Sequence, residues 1–196
     1  MEKFRTVTYE VHNPKIKKGV RFAVLADLHG TIFGEENSAL LKKIQEHAPD
    51  AILFAGDMVV RMDPSTLEIA RNLLCTLAKD FPTFYAMGNH ETKMKAEGHL
   101  YRNEYLEYKA ELKQNGICFL ENEKIPISLC GNLFVVNGLE LPLEYYHKPF
   151  SPELTSEKLE ELMGKPDPAA INILLAHNPK YGKAYFRWGA DLILSG

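Results

Sequence analysis

The stretch Ala86-Met87-Gly88-Asn89-His90-Glu91 places an amide, an imidazole and a carboxylate directly after a short apolar run. That run, Thr83 to Met87, is typical of a buried β-strand. Gly88 allows the backbone to turn sharply after it. Open α/β sheets bind ligands at the carboxyl ends of their strands, so we expect the side chains of Asn89 and His90 to lie at such an edge.

Three other apolar runs end in the same way. Val24-Leu25-Ala26-Asp27-Leu28-His29 ends with a carboxylate and an imidazole, and Leu53-Phe54-Ala55-Gly56-Asp57-Met58 ends with a carboxylate after a glycine. The run from Ile171 to Ala176 is followed by His177. Because ligand-binding side chains gather at the carboxyl ends of strands, the pattern predicts one site where these strand ends converge.

Length and composition indicate a single globular domain. The chain has 196 residues, of which 45% are hydrophobic and 25% are charged. The net charge of −3 argues against a nucleic-acid partner. We find neither a signal peptide nor an apolar run of about 18 residues, and expect a cytoplasmic protein or one peripheral to the membrane. The three cysteines lack CxxC spacing and are expected to be reduced thiols in a core.

The order of the predicted elements indicates an α/β fold. Alternation from Phe4 to Val11 predicts a half-exposed strand. Strands and helices then alternate, which is typical of a largely parallel sheet with right-handed crossovers. The predicted strands are Val20–Ala26, Ala51–Ala55 and Thr83–Met87. The first predicted helix is capped by Asn37 or Ser38 and runs to about His47. The second begins at Asp63-Pro64 and carries an apolar stripe to Leu77, and the third covers Gly98–Asn115.

Closer turns follow and change the pattern. Ile117–Leu120, Ile125–Leu129 and Leu133–Asn137 predict short antiparallel hairpins that begin a second sheet or form an antiparallel edge. Leu141 to Pro152 is an irregular aromatic segment, either a lid near the site or a loop packed on the surface. The remaining predicted elements are a helix at Thr155–Met163 and strands at Ile171–Ala176 and Leu192–Leu194.

The residues at the strand ends form a mixed oxygen and nitrogen donor set, which suits Mn²⁺, Fe or Zn²⁺ better than Ca²⁺. Asp27 and His29 can hold one ion if the backbone turns between them, and Asp57 could bridge two ions. Asn89 and His177 could complete the second ion. Two ions about 3.5–4 Å apart generate a hydroxide at neutral pH and clamp the oxygens of an in-line displacement at phosphorus.

His90 follows a candidate ligand directly and would face the leaving group, and an ordinary histidine pKa of about 6.5 suits proton donation. Glu91 either supports the ligands or caps the following helix, and the cap is the expected role. Four other histidines lie away from the strand ends and are not expected to be ligands: His12, His47, His99 and His147.

Together these motifs resemble those of the calcineurin-like metallophosphoesterase superfamily, over about Val20 to Gly196. The segments that carry the resemblance are Asp27-Leu28-His29, Gly56-Asp57-Met58, Gly88-Asn89-His90-Glu91 and Ala176-His177-Asn178. Asp27-Leu28-His29-Gly30 with Gly34 further resembles a small bacterial branch related to membrane-anchored phosphoesterases. The resemblance implies an α/β fold with two mixed β-sheets sandwiched between helices, in four layers α/β/β/α.

The resemblance also implies a metal-dependent hydrolase that uses a two-metal-activated hydroxide, with His90 as the catalytic acid or transition-state stabiliser. Its ligand assignments are Asp27, His29 and Asp57 to the first ion, and Asp57, Asn89 and His177 to the second. Mn²⁺ is the expected metal, with Fe, Zn²⁺ or Ni²⁺ as alternatives. The substrate is expected to be a small-molecule or lipid-linked phosphoester, either a phosphodiester or a phosphomonoester.

The family's last motif, Gly-His-x-His, is not reached, because the chain ends at Leu194-Ser195-Gly196. We therefore expect domain 1–196 to lack its C-terminal part, with an incomplete second sheet, an impaired site and a sheet edge open to self-association. The alternative is a non-catalytic binding or scaffold protein on the same fold. Each ligand position that the chain reaches holds a competent residue type, which favours the enzyme. A nucleotide-binding Rossmann-like domain is disfavoured, because no G-x-G-x-x-G follows the first strand.

Overall fold

The computed structural model describes residues 4–147 and 149–196, and within them eight strands and six helices form two sheets with flanking helices. The strands are β1 Phe22–Leu25, β2 Ala51–Ala55, β3 Thr83–Ala86, β4 Cys118–Leu120, β5 Glu123–Leu129, β6 Asn132–Gly138, β7 Ile171–Leu175 and β8 Leu192–Leu194. The helices are α1 Ser38–His47, α2 Ser65–Ala78, α3 Asn89–Lys95, α4 Arg102–Gln114, α5 Ser156–Met163 and α6 Gly182–Trp188. Short 3₁₀ helices cover Glu35–Asn37, Leu143–Tyr146 and Pro179–Tyr181.

Each sheet has four strands. The first has the order β1-β2-β3-β4 and is parallel throughout, because helices connect its successive strands. The second has the order β5-β6-β7-β8 and is mixed, with β5 antiparallel to β6 and the other pairs parallel. In the first sheet Leu25 pairs with Phe54 and Ala55 pairs with Ala86, so the carboxyl ends of β1, β2 and β3 lie along one edge.

Successive side chains of a strand point to opposite faces of its sheet, and this alternation explains how the sheets and helices form layers. Leu53 and Phe84 point between the sheets, where they pack with Phe134 and Ile173 of the second sheet. The opposite face of the first sheet is covered by α1, α2 and α4, and that of the second by α5 and α6. The predicted α/β fold with two sheets between helices is therefore confirmed, with the detail that the first sheet is parallel rather than mixed.

The strand predicted from Phe4 to Val11 is wrong. The segment has no strand conformation, Val7 and Tyr9 are 51% and 83% exposed, and the Phe4 ring contacts Phe33 edge-on at 5.0 Å. Alternation describes two faces of a strand, but a strand also needs a hydrogen-bonding neighbour. No described strand of either sheet pairs with this segment.

The hairpin predicted to begin at Ile117–Leu120 is also wrong. The strand β4 pairs parallel with β3 and completes the first sheet, while the hairpin of β5 and β6 is confirmed. Asn122 connects the two sheets instead of turning a hairpin, since its side chain bonds the backbone of Glu140 at 2.8 and 3.0 Å. The predicted helix Gly98–Asn115 begins only at Arg102, and α6 was not predicted. No helix in the described ranges has both the length and the apolar character needed to cross a membrane.

Candidate active site

The loops after β1 and β2 adopt an unusual backbone conformation at three predicted ligands. The φ angle is 53° at Asp27, 49° at His29 and 52° at Asp57, in the left-handed region that non-glycine residues rarely enter. The two loops run side by side, because the N–H of Asp27 donates to the carbonyl of Gly56 and that of His29 donates to the carbonyl of Asp57, both at 3.1 Å. Backbone strain of this kind often accompanies a functional site.

The loops after β2 and β3 approach each other so closely that glycine is required at the contact. A Cβ on Gly88 would lie 2.1 Å from Oδ1 of Asp57, and one on Gly56 would lie 2.5 Å from the backbone nitrogen of Gly88. Gly56 also has a φ of +90°. This approach brings Asp57 to the start of α3, where the backbone N–H of His90 donates to Oδ1 of Asp57 at 2.9 Å.

Two groups of potential ligands share Asp57. Ligand atoms of His29, Asp57 and His90 lie within 4.8 Å of one another, and so do ligand atoms of Asp27, Asp57 and His177. Nε2 of His177 is 3.1 Å from Oδ2 of Asp57, and Nε2 of His29 is 3.5 Å from Oδ1 of Asp27. Carboxylates and imidazoles converging at these distances fit a first-row transition metal.

The two sets of neighbouring ligand atoms differ from the assignment of ligands to two ions that the resemblance implies. His29 groups with His90 around Asp57, while Asp27 groups with His177. Asn89, the first residue of α3, is half-buried between Gly88 and His90, at the same strand end. Among the described residues, the Asn89 side chain makes no hydrogen bond.

His177 comes from the second sheet and is anchored to the first. Its Nδ1 lies 2.9 Å from the carbonyl oxygen of Ala55, so Nδ1–H donates there and Nε2 faces Asp57. Burial alone lowers the pKa of His177, but the hydrogen bond and the attraction of Asp57 outweigh it and raise the pKa to about 9. The same pairing lowers the pKa of Asp57, although burial acts in the opposite direction. A cation that binds Asp57 therefore competes with the proton on His177.

His90 has a defined tautomer. Its Nδ1 accepts a hydrogen bond from the backbone N–H of Arg61 at 3.0 Å, so the neutral ring carries its hydrogen on Nε2. Burial lowers the pKa of His90, and the attraction of Asp57 offsets this only in part. The ring packs edge-on against His29, with the centroids 4.9 Å apart.

Sequence reasoning missed Arg61, whose positive charge lies close enough to lower the pKa of His90 further. Its side chain is exposed. The signal for it was its place in the loop that follows the predicted ligand Asp57, because a cation in such a loop can reach the site.

Glu91 is a fully buried carboxylate, 0% exposed. It accepts a hydrogen bond from the backbone N–H of Gly88 at 2.9 Å, so the predicted cap of α3 is confirmed. It also accepts hydrogen bonds from the backbone of Asp57 and Met58 and from the hydroxyl of Tyr85. These additional contacts link the cap to the loop that carries Asp57.

Part of the predicted aromatic loop is tied to the segment after His177. The hydroxyl of Tyr181 donates to the carbonyl oxygen of Tyr145 at 2.9 Å, and the side-chain amide of Asn178 reaches the same oxygen at 3.4 Å. Within Leu141–Pro152, residue Lys148 lies outside the described residues. The tie to Asn178 holds Tyr145 and its 3₁₀ helix close to the strand end that carries His177.

Comparison with known proteins identifies the family of the chain. The calcineurin-like phosphoesterase family model matches residues 20–196. The uncharacterized protein YpbG of Bacillus subtilis is 25% identical over 196 residues, covering 98% of this chain and 66% of the relative. An uncharacterized metallophosphoesterase of Campylobacter jejuni is 27% identical over 191 residues, covering 95% of this chain and 46% of the relative. The chain thus spans less than two thirds of the length of either curated relative.

A solved structure shares the fold. The phosphopantetheinyl hydrolase PptH from Mycobacterium tuberculosis matches with a TM-score of 0.53 and 14% sequence identity, covering 90% of this chain and 82% of PptH. At this identity the match concerns the fold alone. Since the family model matches residues 20–196, nearly the whole chain, the chain belongs to the calcineurin-like phosphoesterase family.

Proposed function

We propose that this chain hydrolyses a phosphoester with the help of two divalent cations bound at the carboxyl ends of β1, β2, β3 and β7. Membership of a family of metal-dependent phosphoesterases supports the proposal. The observation that carries it is the carboxylate of Asp57, which belongs to both groups of converging ligand atoms. A carboxylate shared in this way is suited to bridging two ions.

The residues that would hold the ions are Asp27, His29, Asp57, Asn89 and His177. Their mixed donors favour Mn²⁺, with Fe, Zn²⁺ or Ni²⁺ as alternatives. When bound, such a pair of ions supplies Lewis-acid stabilisation of phosphoryl charge and activates water for attack.

His90 acts on the leaving group in this proposal. Since Arg61 N–H occupies Nδ1, the Nε2–H of the neutral ring is the group available to donate to the departing oxygen. Arg61 is exposed and its backbone N–H contacts the His90 ring, so its guanidinium can bind a phosphoryl oxygen as a cation. Both contacts strengthen as negative charge develops on the substrate, which is how such groups accelerate a reaction.

The substrate class in this proposal includes both phosphomonoesters and phosphodiesters, because one metal core can serve both. We propose that the 3₁₀ helix containing Tyr145 lines the substrate side of the site, since it is tied to the residue after His177. The chemistry of the organic group would then be read by this aromatic segment.

The test uses the 196-residue chain with Mn²⁺, p-nitrophenyl phosphate and bis-p-nitrophenyl phosphate. We expect up to two ions per chain by elemental analysis and slow Mn²⁺-dependent hydrolysis of at least one ester, as suits the impaired site expected from the sequence. Asp57→Asn should abolish Mn²⁺ binding and hydrolysis. Asp191 is a carboxylate that lies away from the ligand groups, before the first residue of β8, so Asp191→Asn should change neither. Binding of two ions without hydrolysis would favour a non-catalytic binding protein, and absence of binding would overturn the metal site itself.

A further inference from the structure

We propose, on the basis of the function proposed above, that Glu91 is a positioning residue for the candidate metal site. It fixes the backbone of two loops at once and so sets the position of the Asp57 carboxylate that both ligand groups share. Glu91 itself acts through Asp57 and belongs to neither group of converging ligand atoms.

The contacts of Glu91 divide between the two loops. Oε2 accepts the N–H of Gly88 at 2.9 Å and the N–H of Asp57 at 3.0 Å, so a single oxygen joins the end of β3 to the end of β2. Oε1 accepts the N–H of Met58 at 2.8 Å and the hydroxyl of Tyr85 at 2.6 Å. The carboxylate thus receives four hydrogen bonds of 3.0 Å or shorter while buried from solvent.

These contacts exceed what a helix cap requires. Capping of α3 needs only the bond to Gly88. A buried carboxylate is retained only when hydrogen bonds replace its lost hydration, and here three of its five donors are backbone groups of the Asp57 loop, including a longer bond from Val59 at 3.4 Å. Most of the hydrogen bonds that stabilise this carboxylate therefore come from the loop that carries the candidate bridging ligand.

The link between the loops is reciprocal. The carboxylate of Glu91 accepts the backbone N–H of Asp57, and the carboxylate of Asp57 accepts the backbone N–H of His90 at 2.9 Å. Asp57 also has a left-handed φ of 52°, a conformation that surrounding contacts must maintain. Without the Glu91 contacts, the loop can relax and move the Asp57 oxygens away from His177 and His29.

No common substitution reproduces this arrangement. Glutamine has the same length, but one oxygen of Glu91 is replaced by an amide NH₂ that would face backbone N–H donors. Aspartate retains both oxygens, but it is one methylene shorter and cannot span both loops from the same helix position. Glu91→Gln is therefore the informative variant, because it removes the acceptor with little change in volume.

The experiment compares Glu91→Gln with Asp191→Asn as a matched control. Asp191 is also a carboxylate that accepts a backbone N–H, from Asn172 at 2.8 Å, but it lies at the amino end of β8. Mn²⁺ affinity is measured by titration calorimetry, and amide hydrogen exchange of Asp57 and Met58 is measured by NMR on the metal-free chain. We expect Glu91→Gln to weaken Mn²⁺ binding about 10–100-fold and to speed both exchanges, with neither change in Asp191→Asn.

A milder variant covers the case in which Glu91→Gln does not fold. Tyr85→Phe removes one of the five donors and leaves the backbone links in place, so it should weaken Mn²⁺ binding in the same direction by a smaller factor. If Glu91→Gln fails to fold and Tyr85→Phe binds Mn²⁺ as the wild-type chain does, the proposal is overturned.

The remaining outcomes separate this proposal from the proposed function. A folded Glu91→Gln with wild-type affinity and wild-type exchange overturns the positioning role, and so does an equal loss of affinity in Asp191→Asn. If the wild-type chain binds no Mn²⁺ but Glu91→Gln still speeds exchange at Asp57, the link between the loops stands and the proposed function fails.

Discussion

Replacing Gly88 with alanine tests whether the site depends on the close approach of two loops. The added Cβ would lie 2.1 Å from Oδ1 of Asp57, whereas real Cβ atoms essentially never approach another atom closer than 3.0 Å. The two groups must therefore separate by about 0.9 Å, the difference between these distances. Gly88 has a φ of −99°, which alanine adopts without strain, so the effect is steric.

A displacement of this size is large for a metal site. Ligand distances are held to about ±0.2 Å, and a misplacement of about 1 Å can cost about 100-fold in rate. We expect Gly88→Ala to weaken Mn²⁺ binding by at least about 10-fold and to lower kcat/KM about 100-fold. Overpacking of a buried contact should also lower the free energy of unfolding by about 1–3 kcal/mol.

The assay measures Mn²⁺ affinity by titration calorimetry and kcat/KM with a p-nitrophenyl ester. Gly182→Ala is the control, because its Cβ would meet no atom within 4 Å and its φ of −49° is helical. It should leave affinity and rate at wild-type values. A Gly88→Ala chain that binds Mn²⁺ and turns over substrate as the wild type does would refute the idea that the two loops set the position of Asp57.

Three further predictions concern single side chains. His90→Asn should lower kcat by about 10²–10⁴-fold without changing Mn²⁺ affinity, and a parallel loss of affinity would make His90 a ligand instead. Arg61→Ala should lower kcat/KM by about 10–100-fold with metal binding intact, since a charged hydrogen bond contributes about 1.5–3 kcal/mol; unchanged kinetics would exclude a substrate contact. Hydrogen bonds from the Asn172 backbone and Lys15 outweigh burial and hold the pKa of Asp191 below its ordinary 3.8. Its stabilising effect is therefore present above pH about 4 and is lost as the pH falls through the folded pKa. Urea unfolding should show Asp191→Asn to be less stable than the wild type at pH 7, with a difference that shrinks toward pH 3; a difference independent of pH would contradict this.

The elements that carry the site were predictable because their signals are local. Ala51–Ala55 is buried at every residue, and a continuous apolar run of that length is typical of a central parallel strand. The apolar stripe of α2 is likewise buried at Leu67, Leu74 and Leu77. Glycine and acidic residues at the ends of the strands mark where the chain turns at the carboxyl edge of the sheet, where the candidate ligands lie.

Strand pairing was less predictable, because it depends on partners distant in sequence. The alternation of Phe4–Val11 is as regular as that of a strand, but no neighbouring strand accepts its hydrogen bonds among the described residues. The segment Cys118–Leu120 lies near a hairpin in sequence, yet it pairs with Thr83–Ala86 after the α3 and α4 crossover. Turn spacing alone does not distinguish a strand that forms a hairpin with its neighbour from one that pairs with a strand distant in sequence.

The residue types of the candidate site could be identified from sequence, but its supporting contacts could not. Glu91 and Asp57 are 34 positions apart, and their hydrogen bond exists only because the loops after β2 and β3 meet. Arg61 and His90 are 29 positions apart, and their contact fixes the tautomer of the ring. Such contacts follow from the packing of loops, which periodicity does not describe.

Residues that follow strands of both sheets form the candidate site. His177 follows β7 of the second sheet, and its ring is held by the carbonyl of Ala55 in β2 of the first. Its Nε2 then faces Asp57, whose own position depends on Gly88 and Glu91. A cation coordinated by Asp57 and His177 would therefore connect the two sheets across their interface. Its binding free energy would favour the folded arrangement of both, by about 2.7 kcal/mol at a concentration 100 times the Kd. Metal affinity and the packing of the two sheets are thus expected to vary together, because the same contacts determine both.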